Sequence, residues 1–173
     1  MSRGFVKEDD QEEAPFIPPR ASLPAGVTNY VTARGMQLLL EERAQLDRDR
    51  AQLQGSDDER RRAAAGIDGR LALLNERIVT ARPVEPGAEA PTDVRFGTAV
   101  TVAYRSGPQR GTERSFTLVG VDEASVAEQR IAFTSPIARA LMGKRIGDHV
   151  DVLLGAAQQE LEVLAIGWPE PRR

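Results

Sequence analysis

Met36, Leu39, Leu46 and Leu53 recur at spacings of three and seven amid Glu, Arg, Asp and Gln, which predicts a helix with one narrow apolar seam. After an interruption at Gly55, Ile67, Leu71, Leu74 and Ile78 recur at spacings of four, three and four, a second seam of the same kind. Two such seams in succession are expected to face each other. Residues 30–81 therefore read as an antiparallel α-helical coiled-coil hairpin with its tip at 55–59. Thr32 is placed to cap the first helix, and Pro83 disfavours helical geometry at Arg82 and so ends the second. Each arm would hold about 23 to 25 residues, or roughly 35 Å at the helical rise. Gly66 and Gly69 lie inside the second arm, each costing on the order of 1 kcal/mol relative to alanine. They read as sites of close helix approach or of a local bend.

The pattern then changes. Residues 82–93 contain Pro83, Pro86, Gly87 and Pro91 and read as a stiffened linker. From Val94 to Tyr104 apolar residues alternate with polar or small ones, as a half-buried strand requires. Further strands are expected at 115–121, 130–134, 149–154 and 160–168. One short helix falls between the third and fourth: Ser135 suits its cap, Pro136 its first turn and Gly143 its end. Residues 94–168 thus form a mainly antiparallel sheet domain with one helix across it, and the chain as a whole is of the α+β class. Residues 1–29, with an acidic run from Glu8 to Glu13 and four prolines, are expected to be an extended or disordered arm, and 169–173 a tail.

Composition adds shape and exclusions. None of the eight aromatic residues lies between Val31 and Arg95, which fits a slender element there rather than a thick core. The absence of cysteine removes disulfides, thiolate metal sites and cysteine nucleophiles together. No apolar run approaches the roughly 20 residues that a membrane span needs. With no apolar stretch after the first residues to serve as an export signal, the cytoplasm is the expected location. Basic and acidic side chains nearly balance, at 23 against 26, so a direct electrostatic grip on nucleic acid is not indicated.

Little of the chain suggests catalysis. His149 is the only histidine and reads as structural, and no phosphate-binding glycine motif or nucleophile elbow is present. The notable chemistry is at the hairpin tip, Gln54-Gly55-Ser56-Asp57-Asp58-Glu59-Arg60-Arg61-Arg62. Three carboxylates at the end of a rod could complete a hard-cation site held by another protein. Ser56 with Glu59 three residues on equally fits a capping box, with Asp57 and Asp58 favouring the positive helix end.

Several segments carry a family resemblance. Val94 to Val102 looks like the opening strand, and Leu118-Val119-Gly120-Val121-Asp122-Glu123-Ala124 like the second strand and turn, of the GreA/GreB bacterial transcription elongation factors. Ser135-Pro136-Ile137-Ala138-Arg139-Ala140-Leu141-Met142-Gly143-Lys144-Arg145-Ile146-Gly147-Asp148 and Leu161 to Ile166 extend the likeness, and Thr32-Ala33-Arg34-Gly35 resembles the start of the family's hairpin. The resemblance implies an FKBP-like C-terminal domain that docks on bacterial RNA polymerase at the rim of its secondary channel, which the hairpin enters. Nucleic acid would be met only indirectly, through the elongation complex. The factor would be no enzyme itself and would have no cofactor of its own. It would stimulate the polymerase to cut backtracked RNA, with Asp57, Asp58 and Glu59 assisting, and Asp57 and Asp58 meeting a Mg2+ ion that the polymerase holds. Ser135, Pro136, Arg139, Lys144 and Arg145 are the candidate docking residues, and a monomer is expected.

The tip departs from the family's Gly-Asp-x-x-Glu-Asn, because Ser56 follows Gly55 and Arg60 stands three residues beyond Asp57. The first arm also looks about two turns, or roughly 11 Å, short. A non-cleaving regulator of the same channel is therefore the alternative function. A peptidyl-prolyl isomerase is a third reading, resting on the sheet domain alone.

Overall fold

The computed structural model describes residues 14–169. Its elements are β1 (Tyr30–Val31), α1 (Ala33–Ala51), α2 (Asp57–Thr80), β2 (Arg82–Pro83), β3 (Ala99–Tyr104), β4 (Glu113–Val119), β5 (Arg130–Ala132), α3 (Pro136–Leu141), β6 (His149–Leu154) and β7 (Ala157–Gly167). Two long helices precede a sheet crossed by one short helix, a mixed α+β arrangement.

The helices pair through the predicted seams. Leu39 and Leu46 of α1 and Leu74 of α2 are buried together with Val31 and Ala81, and Met36, Ile67, Leu71 and Ile78 pack around them. With five buried residues, this core depends on firm ends. Thr32 caps α1, its Oγ1 accepting the Gly35 amide at 2.9 Å, and Ser56 caps α2. At the base, β1 and β2 pair in parallel, Tyr30 opposite Arg82 and Val31 opposite Pro83.

The first arm is shorter than its spacing suggests. α1 has 19 residues, about 28 Å at the helical rise, against 24 in α2. It stops because the Gln52 amide is shared between the Arg48 and Asp49 carbonyls, which tightens the last turn. Gly55 then adopts φ +108°, a conformation open to glycine, and delivers Ser56 in the extended geometry of a cap. Leu53 consequently lies beyond the helix and is only half-buried. Near the tip the arms are joined instead by the exposed Arg50–Asp68 pair at 2.5 Å.

The five-stranded sheet has the order β5-β4-β3-β7-β6. All neighbours are antiparallel except β4 and β5, which run parallel, so the sheet is mainly antiparallel. Its core comprises Val94, Val100, Val102, Tyr104, Leu118, Val150, Val152, Leu161 and Val163, covered by Ala138 and Leu141 of α3. The opening strand begins at Ala99 rather than Val94. Residues Arg95 to Thr98 form a turn, closed by the Thr98 amide and hydroxyl on the Arg95 carbonyl at 3.1 and 2.7 Å, with Gly97 at φ +85°. Val94 is held instead by α3's exit: its amide donates to the Lys144 carbonyl at 2.8 Å and its carbonyl accepts from Gly143 at 2.7 Å.

Residues 14–29 carry no helix or strand but lie against both halves. Ile17 sits over Gly69, where a Cβ would fall 2.4 Å from Ile17 Cδ1. Gly69 thus makes room for this N-terminal segment, not for the other helix, while a Cβ at Gly66 would meet nothing within 4 Å. Gly66→Ala is accordingly expected to raise stability by roughly 0.5–1 kcal/mol in urea denaturation. Gly69→Ala should lose most of that gain to displacement of Ile17 and recover it in an Ile17→Ala background.

Candidate functional site

The tip is built by the start of α2. The Ser56 amide donates to Glu59 Oε2 at 2.8 Å, the Ser56 hydroxyl donates to the same oxygen at 2.9 Å, and the Glu59 amide returns to Ser56 Oγ at 3.3 Å. This reciprocal capping box satisfies helix amides that have no partner within the helix. A Cβ at Gly55 would stand 2.7 Å from Glu59 Oε2, a second reason for glycine there. The backbone and then the side-chain hydrogen bond from Ser56 hold the Glu59 carboxyl below its ordinary value.

The other two acids have partners one turn on. Asp57 pairs with Arg60, which also reaches the Gly55 carbonyl at 3.3 Å, and Asp58 pairs with Arg61 at 2.6 Å. The three carboxylates are therefore drawn to separate partners rather than onto a common point. Among the described residues no group of three or more His, Asp or Glu side chains could hold a metal ion. The tip by itself does not fit a metal centre.

The expected docking residues gather on and after α3. Ser135 caps the helix, accepting the Ala138 amide at 3.3 Å, and Pro136 occupies its first turn. Arg139 and Arg145 are exposed and Lys144 is half-buried, with exposed Met142 and Ile146 beside them in the chain. Gly143 leaves the helix at φ +78°.

Sequence reasoning missed a third cluster, the joint between hairpin and sheet. Asp122, just beyond β4, places Oδ1 2.8 Å from Arg20 Nη2 and Oδ2 3.0 Å from Arg77 Nε of α2. Its side chain is only 8% exposed, so solvent screens these pairs less than surface ones. Next to it, Glu123 accepts the Thr32 hydroxyl at 2.5 Å and pairs with Arg130 at 3.2 Å. Arg130 also meets Glu128, which in turn meets Arg34 of α1 at 3.2 Å.

Two glycines let the halves approach. A Cβ at Gly35 would sit 2.7 Å from Glu123 Oε2, and one at Gly120 would sit 2.7 Å from the Tyr30 carbonyl oxygen. Tyr30, Phe96 and Phe133 close the other side, with ring centroids 5.5 to 5.9 Å apart. The signal for this joint lay in Thr32 to Gly35 and Gly120 to Glu123, but nothing local shows that two segments some ninety residues apart meet.

Residues 89–167 match the family described as "Transcription elongation factor, GreA/GreB, C-term". The chain is 31% identical over 157 residues to a transcription elongation factor GreB of Neisseria meningitidis, covering 81% of this chain and 94% of that one. It is 36% identical over 100 residues to a transcription elongation factor GreA of Hyphomonas neptunium, covering 58% of this chain. In that and other GreA relatives it spans 62% of their length. Among solved structures, GreA factor homolog 1 of Thermus thermophilus aligns with 81% of this chain and 99% of its own, at 22% identity and a TM-score of 0.37.

The sheet domain carries the match to the family model, and the GreB match covers most of the chain. The chain belongs to the GreA/GreB family. Among the described residues no helix is long and apolar enough to cross a membrane.

Two outcomes follow from this geometry. Gly120→Ala must displace the Tyr30 backbone, and its thermal unfolding is expected to shift down by the equivalent of about 2 kcal/mol or more. Because Glu59's folded value lies below its unfolded one, its contribution to the start of α2 is complete above the unfolded value and is lost as pH falls through the folded value. An NMR titration should therefore place the Glu59 carboxyl below that of a free peptide, and Ser56→Ala should move it back up.

Proposed function

We propose that this protein binds bacterial RNA polymerase, its residues 94–168 docking at the rim of the secondary channel and its hairpin entering the channel, and that it regulates elongation without stimulating transcript cleavage. In this reading residues 30–81 and 94–168 are the two working domains, the second FKBP-like, with residues 82–93 as the connection between them. Family membership supports the polymerase as partner. The observation that favours regulation over cleavage is the state of the tip: Asp57 and Asp58 are each paired with an arginine of their own helix, and Glu59 is folded back onto Ser56. Only 19 residues in α1 add to this, because a short rod carries its tip less far.

The exposed guanidiniums of Arg139 and Arg145, with Lys144, supply cations for the docking face, while Ser135 and Pro136 act through the shape of the helix start. Stimulated cleavage is the competing activity. It would need Asp57 and Asp58 to leave Arg60 and Arg61 and turn to the polymerase's Mg2+. The isomerase reading has less support, because Phe96 and Phe133 pack against Tyr30 and Tyr104 is buried in the core.

The test is a purified polymerase stalled in a backtracked complex. The factor is expected to bind it, with RNA shortening no faster than without the factor, and Asp57→Ala with Asp58→Ala should leave that unchanged. Faster shortening that disappears in the double variant would establish cleavage instead, and failure to bind would remove the polymerase as partner.

A further inference from the structure

Residues 14–28 touch the rest of the protein at a few strong points. Ile17 seats on Gly69 of α2, and the Arg77 guanidinium donates to the Ala21 carbonyl at 2.5 Å. Between these, Arg20 grips Glu42 of α1 with two hydrogen bonds of 2.9 and 3.0 Å and donates from Nε to Asp122 at 3.0 Å. A planar guanidinium can serve two carboxylates in this way, and a lysine cannot. The Arg20 side chain is 18% exposed, and its two partners belong to different halves of the protein. Burial opposes its charge, but the Glu42 hydrogen bonds and the Asp122 charge more than offset that, so its proton is held more firmly than usual.

Around these points the packing is open. A cleft of about 930 Å³ runs between this segment and α2, lined by Ile17, Leu23, Val27, Leu73 and Val79 among others, and one of about 430 Å³ lies on the side of Glu42 and Asp122. The segment is thus held by discrete latches rather than by continuous apolar cover.

We propose that residues 14–28 form a strap that sets the direction of the hairpin relative to the sheet domain, with Arg20 as the positioning residue. Arg20 ties α1 to the turn after β4, beside the point where Arg77 ties α2 to the same carboxylate. Both helices are then referred to Asp122, and a rod fixed at two points cannot swing about its base. What the direction serves rests on the channel-entry reading above, since a rod that must thread a channel needs a defined line of approach. The strap itself does not depend on that reading.

The experiment measures direction in the free protein, so it remains informative if the protein binds no polymerase. The chain has no cysteine, and Gln54→Cys at the tip with Asp151→Cys on β6, both exposed positions, gives two unique spin-label sites in the full chain. Pulsed electron–electron resonance is expected to give one narrow distance peak. Arg20→Ala should lose that single peak to a broad distribution while circular dichroism keeps its helical signal, and Arg20→Lys should restore it in part. Glu42→Gln, which leaves Arg77 on Asp122, should also broaden it, and this variant carries the test if Arg20→Ala does not fold. An unchanged narrow peak in Arg20→Ala, or in Glu42→Gln where the former is unfolded, would overturn the proposal.

Discussion

The carboxylate of Asp122 is the point on which the architecture turns. The sheet domain has its own apolar core and the hairpin a thinner one, and neither core extends into the other. Besides the rings of Tyr30, Phe96 and Phe133, polar contacts unite them: Asp122 between Arg20 and Arg77, and Glu123 between Thr32 and Arg130. Breaking a buried pair by removing one partner leaves an uncompensated charge and typically costs about 3 kcal/mol or more. A joint of this kind is therefore directional as well as cohesive. Apolar surfaces can slide over one another, whereas Arg20, forked on Glu42 and donating to Asp122, is held in one geometry. The glycines at 35 and 120 belong to the same device, because a Cβ there would crowd the Glu123 carboxylate or the Tyr30 carbonyl.

The tip shows the same chemistry put to a local use. Each acid that sequence alone could assign to a metal is engaged by a neighbour in the first turn of α2, Glu59 most completely. A helix start needs negative charge near its free amides, and Asp57, Asp58 and Glu59 supply it. The capping reading and the metal-directed reading draw on the same side chains. The arginines at 60 and 61 weight the balance toward capping, since a carboxylate paired with a cation must give up that partner before meeting another.

Much of the fold was legible in the residues. The two seams, the caps at Thr32, Ser56 and Ser135, the stop at Pro83 and the strand 149–154 all follow from local patterns, because period, capping and proline geometry act over a few residues. Two errors arose where a nonlocal contact decided. Val94 alternates like a strand but is taken up by Lys144 and Gly143, and Gly69, read as a helix contact or bend, is the seat of Ile17. Of the candidate site, the tip and its Ser56–Glu59 capping box were legible, and the arginine partners of Asp57 and Asp58 were not: Asp57 to Arg60 is an ordinary spacing, and only side-chain geometry shows the pairs formed.

Sequence by itself determined that the chain holds a thin helical hairpin and a small sheet with one helix, and which acids stand at the tip, because these depend on spacing along the chain. Tertiary structure decided how the two parts are joined and what the 14–28 segment does. Arg20, Arg77 and Asp122 carry no periodicity that marks them as neighbours, nor do Thr32 and Glu123. Their partnership exists only once folding has brought Arg20 within hydrogen-bonding reach of a carboxylate 102 residues away and excluded most of the water that would otherwise screen them.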